Sequence, residues 1–142
     1  MSAPPLDVVR QFVSAVAWGE HRTVWELLGQ EARTAILRVA TRRGMDDALA
    51  ARLRDGIATA TEEDVFLTDL INGMRADFAG TDLDELQVED EPGPQEPDRA
   101  RVLLIVPVPE GLGVPGLPVG SMELSEEDGT WRVQRVTARN TR

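Results

Sequence analysis

Residues 100–108 limit what this chain can fold into more than any other stretch. Ala100, Val102, Leu104, Val106 and Val108 alternate with Leu103 and Ile105, so an extended segment here is apolar on both faces. Successive side chains of a strand point to opposite faces, and a strand apolar on both belongs inside a sheet. The chain must therefore supply strands to flank this one and an apolar layer to rest on it. Leu83, Leu86 and Val88 predict a strand before it, residues 119–124 a third, and residues 131–137 a fourth. Glu127-Asp128-Gly129 is a hairpin signal between the last two. Trp131, Val133 and Val136 break strict alternation, which predicts a bulge near Gln134 or Arg135. Pro92, Gly93, Pro94 and Pro97 exclude helix and central strand and mark an exposed connection.

The covering layer has to come from the first half of the chain. Pro5 opens a helix carrying Leu6, Val9, Phe12, Val13 and Val16 at helical spacing, which should stop near Gly19. Val24, Trp25 and Leu28 mark a short second helix ending at Gly29. Ala32, Ala35, Ile36 and Val39 mark a third, closed by Arg42, Arg43 and Gly44. Met45, Leu49 and Leu53 mark a fourth. Thr61, followed by Glu62, Glu63 and Asp64, reads as the cap of a fifth helix whose stripe is Leu67, Leu70, Ile71, Met74 and Phe78, with Gly80 as its stop. Helices first and hairpin-linked strands second predict an α+β fold, a helical N-terminal half packed on a four-stranded antiparallel sheet, in one domain over residues 1–142.

Charge and composition exclude several function classes. The formal net charge is −10, with 15 Arg, no Lys, no Cys, no Tyr, and His21 as the single histidine. Nucleic acid and anionic membrane surfaces both require a cationic face, so neither is an expected partner. Without Cys there are no disulfides, thiolate metal sites or Cys nucleophiles, and without Lys no Schiff base or phosphate-loop lysine. With one His, neither a transition metal nor a cofactor is expected. No apolar stretch approaches the roughly 18 residues of a membrane span. The start Met-Ser-Ala-Pro-Pro also lacks the basic region of a secretory signal, so a cytoplasmic protein is expected. The acidity is local: residues 82–98 hold eight acids and no base, while the other 17 of the 25 acids face 15 arginines. This stretch lacks calcium-loop spacing. It reads as an exposed, mobile hairpin edge, a solvated one or, alternatively, a docking site that a basic, arginine-rich protein partner would order.

The N-terminal helix, the element Glu20-His21-Arg22-Thr23-Val24-Trp25-Glu26-Leu27-Leu28 and the terminal hairpin Asp128-Gly129-Thr130-Trp131-Arg132-Val133 resemble the nuclear transport factor 2-like superfamily. The resemblance covers most of the chain in its order of elements. It implies a curved sheet wrapped about a long helix, a cone-shaped molecule, and an interior able to hold a small hydrophobic molecule. Residues His21, Trp25, Leu28, Phe66, Leu70, Met74, Leu104, Val106 and Trp131 are its ligand-pocket candidates. The family usually places a strand pair before its third helix, whereas residues 30–60 here read as helix.

Candidate chemistry is sparse. Gly111-Leu112-Gly113-Val114-Pro115-Gly116 spells a dinucleotide fingerprint, but prolines and a strand follow it where a helix is needed, so it reads as a loop. His21 is the natural acid or base of the chain. Read structurally, it is a half-exposed first-turn residue bonded to a nearby carbonyl. Enzymes of the resembled superfamily also rely on tyrosine, which is absent here. Glu26, Asp69, Asp77 and Glu123 lie off the apolar stripes and read as solvated, giving no acid–base pair. Trp25 and Trp131 read as core, and Trp18 stands off its helix's stripe as a contact residue. These features point to a non-enzymatic binding or assembly domain, a homodimer through the sheet face the helices leave uncovered. Two alternatives stand beside it: a small-molecule isomerase, cyclase or hydratase using His21, and an accessory subunit binding a basic partner through the acidic hairpin.

Overall fold

A computed structural model of the chain describes residues 3–78, 83–91, 96–106 and 117–138. Five helices precede the sheet: α1 (Pro5–Trp18), α2 (His21–Leu27), α3 (Gln30–Arg42), α4 (Asp47–Asp55) and α5 (Ala60–Asp77). Four antiparallel strands follow in spatial order β1-β2-β3-β4: β1 (Gln87–Asp90), β2 (Arg99–Val106), β3 (Leu117–Glu127) and β4 (Thr130–Ala138). The α+β arrangement is the expected one, and the doubly apolar strand β2 lies inside the sheet. Its Val102 and Leu104 are fully buried in the core, while Leu103 and Ile105 on the other face are half-buried. Gly80, residues 92–95, Val108 and the loop 111–116 fall outside the described residues.

The core forms where α1 lies on the sheet. Val9, Phe12 and Val16 of α1, Val24 and Leu28 of the α2 segment, and Ile71 and Phe78 at the α5 end meet Val102, Leu104, Met122, Leu124 and Val133. The stripes read for α1, α2 and α5 are buried or half-buried faces, but that of α3 is not: Ala35 and Val39 are exposed, and Leu37, off the expected stripe, is the residue buried with Ala32. Several boundaries differ from expectation: Met45 lies before α4, and β3 and β4 extend beyond residues 119–124 and 131–137. Leu83–Glu85 is a single 3₁₀ turn and β1 starts at Gln87; Leu83 and Leu86 still pack against the core from outside the strand. The cap of α5 is Thr59, not Thr61. The Thr59 hydroxyl accepts from the Glu62 amide at 3.1 Å and the Glu62 carboxylate accepts from the Thr59 amide at 3.0 Å. This reciprocal box needs an acid with a long side chain three residues on. Thr59 has Glu62 there, whereas Thr61 has Asp64, which is used elsewhere.

The β3–β4 hairpin turns on Asp128 (φ 52°) and Gly129 (φ 78°), two successive left-handed residues whose twist suits a two-residue hairpin. Beyond it the expected bulge is present. Glu123 pairs with Arg135 and Leu124 with Val133, so Gln134 has no partner on β3. The extra residue lets Val133 and Val136 both face the helices and turns the Gln134 amide toward the sheet edge. There Leu28 makes a parallel bridge to Val133, and the Gly29 amide donates to the Val133 carbonyl at 2.8 Å. Gly29, the N-cap of α3, has no side chain to satisfy the first amides of that helix. The sheet supplies the acceptors instead. Gln134 Oε1 accepts from the Glu31 amide at 3.1 Å and the Ala32 amide at 3.4 Å, and Glu127 Oε2 accepts from the Gln30 amide at 2.9 Å. Gln134 Nε2 donates in turn to Ser125 Oγ at 2.9 Å and to Glu127 Oε2.

The close approach of backbone to this amide is possible only at glycine, since a Cβ on residue 29 would sit 2.0 Å from Gln134 Nε2. Gln134→Ala should cost about 1–3 kcal/mol, the penalty for stranding buried amides. Gly29→Ala should destabilise the wild type but be nearly neutral in the Gln134→Ala background, where the clash is gone. Additive effects in denaturant melts of this double-mutant cycle would show that the two residues do not act as one joint.

Candidate functional site

The interior offers little room. An apolar cleft between α1, α5 and the sheet, lined by Phe12, Met74, Phe78, Leu104 and Met122 among others, holds about 20 Å³. Of the nine pocket candidates only Met74 and Leu104 line it. Leu28 and Leu104 are fully buried core residues, while Leu70, Met74 and Trp131 are half-buried against that core. Val106 is half-buried at the end of β2, opposite Leu117. Trp25 and Phe66 meet edge to face, with ring centroids 5.5 Å apart. The structure thus brings the candidates together in two pairs rather than around one cavity. Trp18 is 70% exposed, in keeping with its position off the α1 stripe.

The space above Trp25 is filled by Arg33, whose guanidinium lies 5.1 Å from the ring centroid and donates from Nε and Nη2 to the Trp25 carbonyl at 3.1 and 2.6 Å. Burial, and next the nearby Arg132, hold Arg33 below the ordinary arginine value. Arg132 reaches the Glu26 carbonyl. Two arginines therefore close the C-terminal end of α2, where cations are favoured by the helix dipole. Arg75 does the same for α1, donating to the Val16 and Ala17 carbonyls at 2.9 and 2.7 Å.

His21 turns toward α5 rather than into the core. Its Nε2 lies 3.1 Å from Asp64 Oδ1, and its Nδ1 lies 3.4 Å from the Gly19 carbonyl. Arg22 shares the same carboxylate oxygen at 2.9 Å and approaches Glu63 at 3.5 Å. Hydrogen bonds from His21 first, then Arg22, hold the Asp64 carboxyl below its usual range. Both ring nitrogens face acceptors and Asp64 is 49% exposed, so the cluster is a surface clasp between α2 and α5. Neither His21 nor Asp64 lines the apolar cleft.

The larger concavity lies on the side of the sheet away from the core. It is an open groove of about 360 Å³ whose walls include Glu31, Glu91, Arg101, Glu123, Gln134 and Arg135. Arg101 approaches Glu91 at 3.4 Å, and Arg135 lies 3.5 Å from Glu123 and 3.8 Å from Glu31. Strand alternation shows that these side chains point away from the core, but sequence alone does not place three strands in register. Among the described residues, no group of three or more acidic or histidine side chains is arranged to hold a metal ion. No helix described is long and apolar enough to cross a membrane. No protein family, curated protein or solved structure matches the chain.

The ion pairs on the helical side give a pH dependence of defined sign. Arg52, followed by the Thr59 amide, lowers Glu62 from 4.5 to about 2. A lowered carboxyl stabilises the fold fully above its unfolded value, and that contribution drains as pH falls through the folded value. For Glu62 the window runs from 4.5 down to about 2. In an NMR-followed acid titration, Arg52→Met should bring Glu62 partway back toward 4.5 and leave Asp64 in place. An unmoved Glu62 would show that Arg52 is not what holds it.

Proposed function

We propose that this chain is a non-enzymatic binding and assembly domain of nuclear transport factor 2-like type, and that it pairs with a second copy through the outer face of its sheet. The observation that carries this reading is the contrast between the two faces of the sheet. The apolar cleft on the inner side holds about 20 Å³, whereas the outer face has an open groove of about 360 Å³, and Leu103 and Ile105 of β2 are half-buried on that same face. A binding site needs concavity and convergent polar groups, and here both lie outside the core. Apolar side chains on a central strand are best covered by a second layer, and two aligned sheets provide one.

The order of helices before an antiparallel meander supports the family reading. Its departure is α3 and α4, which stand where the family has a strand pair. The enzyme alternative would rest on His21 and Asp64, neither of which lines the apolar cleft.

Light scattering at micromolar concentration should give twice the 15.6 kDa mass of the chain, and His21→Ala should leave that mass unchanged. A monomer overturns the assembly reading. Turnover of a small apolar substrate that falls about 100-fold in His21→Ala, the scale of a general acid–base group, would replace it with the enzyme alternative.

A further inference from the structure

We propose that a row of four alternating charges on the outer face selects the symmetry of the dimer, placing its two-fold axis parallel to the strands and between β2 and β3. The inference rests on the pairing of two copies through this face. Arg101 pairs in register with Glu123, and Glu123 with Arg135, so these three side chains stand side by side on β2, β3 and β4. Glu91, whose amide donates to the Arg101 carbonyl and whose carboxylate lies 3.4 Å from the Arg101 guanidinium, extends the row past the end of β1. Read across the sheet, the row is negative, positive, negative, positive.

A two-fold axis that brings two sheet faces together must lie in the plane between them. If it ran across the strands, each charge would meet its own kind. If it runs along the strands, it reverses the row. An alternating row of even length then meets its complement at every position: Glu91 faces Arg135 and Arg101 faces Glu123 of the other copy. Shifting the axis onto Glu123 restores like-on-like contacts, so the row fixes the position of the axis as well as its direction. Like charges across an interface are a strong bar to wrong pairings.

The row formed by Arg99 and Ser125 is compatible with this arrangement. Arg99 pairs in register with Ser125, and the same rotation lays the arginine over that hydroxyl. Arg132 is drawn off the face by the Glu26 carbonyl and by Glu127, 3.8 Å away. The pairs within one copy also leave donors to spend. They span 3.4–3.8 Å, longer than the roughly 2.7–2.9 Å of a charge-assisted hydrogen bond. The side chains of Arg101 and Arg135 are 48% and 64% exposed.

Charge reversal tests the register. Arg101→Glu alone, or Glu123→Arg alone, creates two like-charge contacts about the axis and should weaken the dimer at least tenfold by sedimentation equilibrium. The double variant Arg101→Glu/Glu123→Arg makes the row negative, negative, positive, positive. That row is again complementary to its own reverse, and the dimer should return. The two single variants are also complementary to each other at all four positions, so mixing them should produce a heterodimer, which shows in the same step that both are folded. A dimeric wild type whose single variants stay equally dimeric, or whose double variant and mixture stay monomeric, overturns the register and leaves the sheet-face dimer standing. A monomeric wild type overturns both.

Discussion

The side-chain amide of Gln134 joins the two halves of this protein. It is 8% exposed and spends its oxygen on the first amides of α3 and its nitrogen on Ser125 and Glu127. A polar group so placed is acceptable only when its bonds are made, and costly to leave half satisfied. Among the described residues no buried side-chain polar atom lacks a partner. The β-bulge is what makes this possible. Removing one residue from the β4 ladder frees Gln134 from strand pairing and keeps Val133 and Val136 on the core side. The α2–α3 corner can then press its backbone against the sheet edge, with glycine at the point of contact.

The C-terminal ends of α1 and α2 are closed by arginines from elsewhere in the fold. Arg75 of α5 serves the end of α1, and Arg33 and Arg132 serve the end of α2. With no lysine in the chain, every such task falls to a planar guanidinium, which can span two carbonyls or lie over an indole ring. The exposed carboxylates meanwhile tie helix to helix, Asp64 through His21 and Arg22, and Glu62 through Arg52. These pairs hold the surface in register, while the buried stripes of α1 and α5 carry the apolar burial.

The consequence for function is that, among the described residues, the interior cleft is small and the larger groove lies on the outer side of the sheet. Residues that look like a pocket in the sequence, such as Leu28 and Leu70, pack in or against the core. Trp25, the most inviting of them, is already covered by Arg33. The groove instead draws on strands β2, β3 and β4 and on the start of α3, elements far apart in sequence that the Gln134 joint holds beside one another.

Much of the fold was legible in the order of residues. The doubly apolar run of β2 required flanking strands, the stripes of α1, α2 and α5 marked their buried faces, Asp128-Gly129 marked the hairpin, and the broken alternation of β4 marked a bulge. Each of these is a local pattern whose meaning does not depend on distant residues. The α3 stripe did not mark its buried face, since Leu37 rather than Ala35 and Val39 faces inward. The cap of α5 is ambiguous in the sequence for a local reason, since two threonines stand two residues apart and only side-chain reach separates them. The start of β1 lies later than the apolar residues suggest because Leu83 and Leu86 are half-buried against the core without joining the ladder. What only the tertiary structure decided is which polar groups meet. That His21 clasps Asp64, that Gln134 caps α3, and that Arg101, Glu123 and Arg135 form one row depend on registers and crossings between segments up to about a hundred residues apart. Those are set by the packing of the whole core and leave no spacing in the chain from which they could be read.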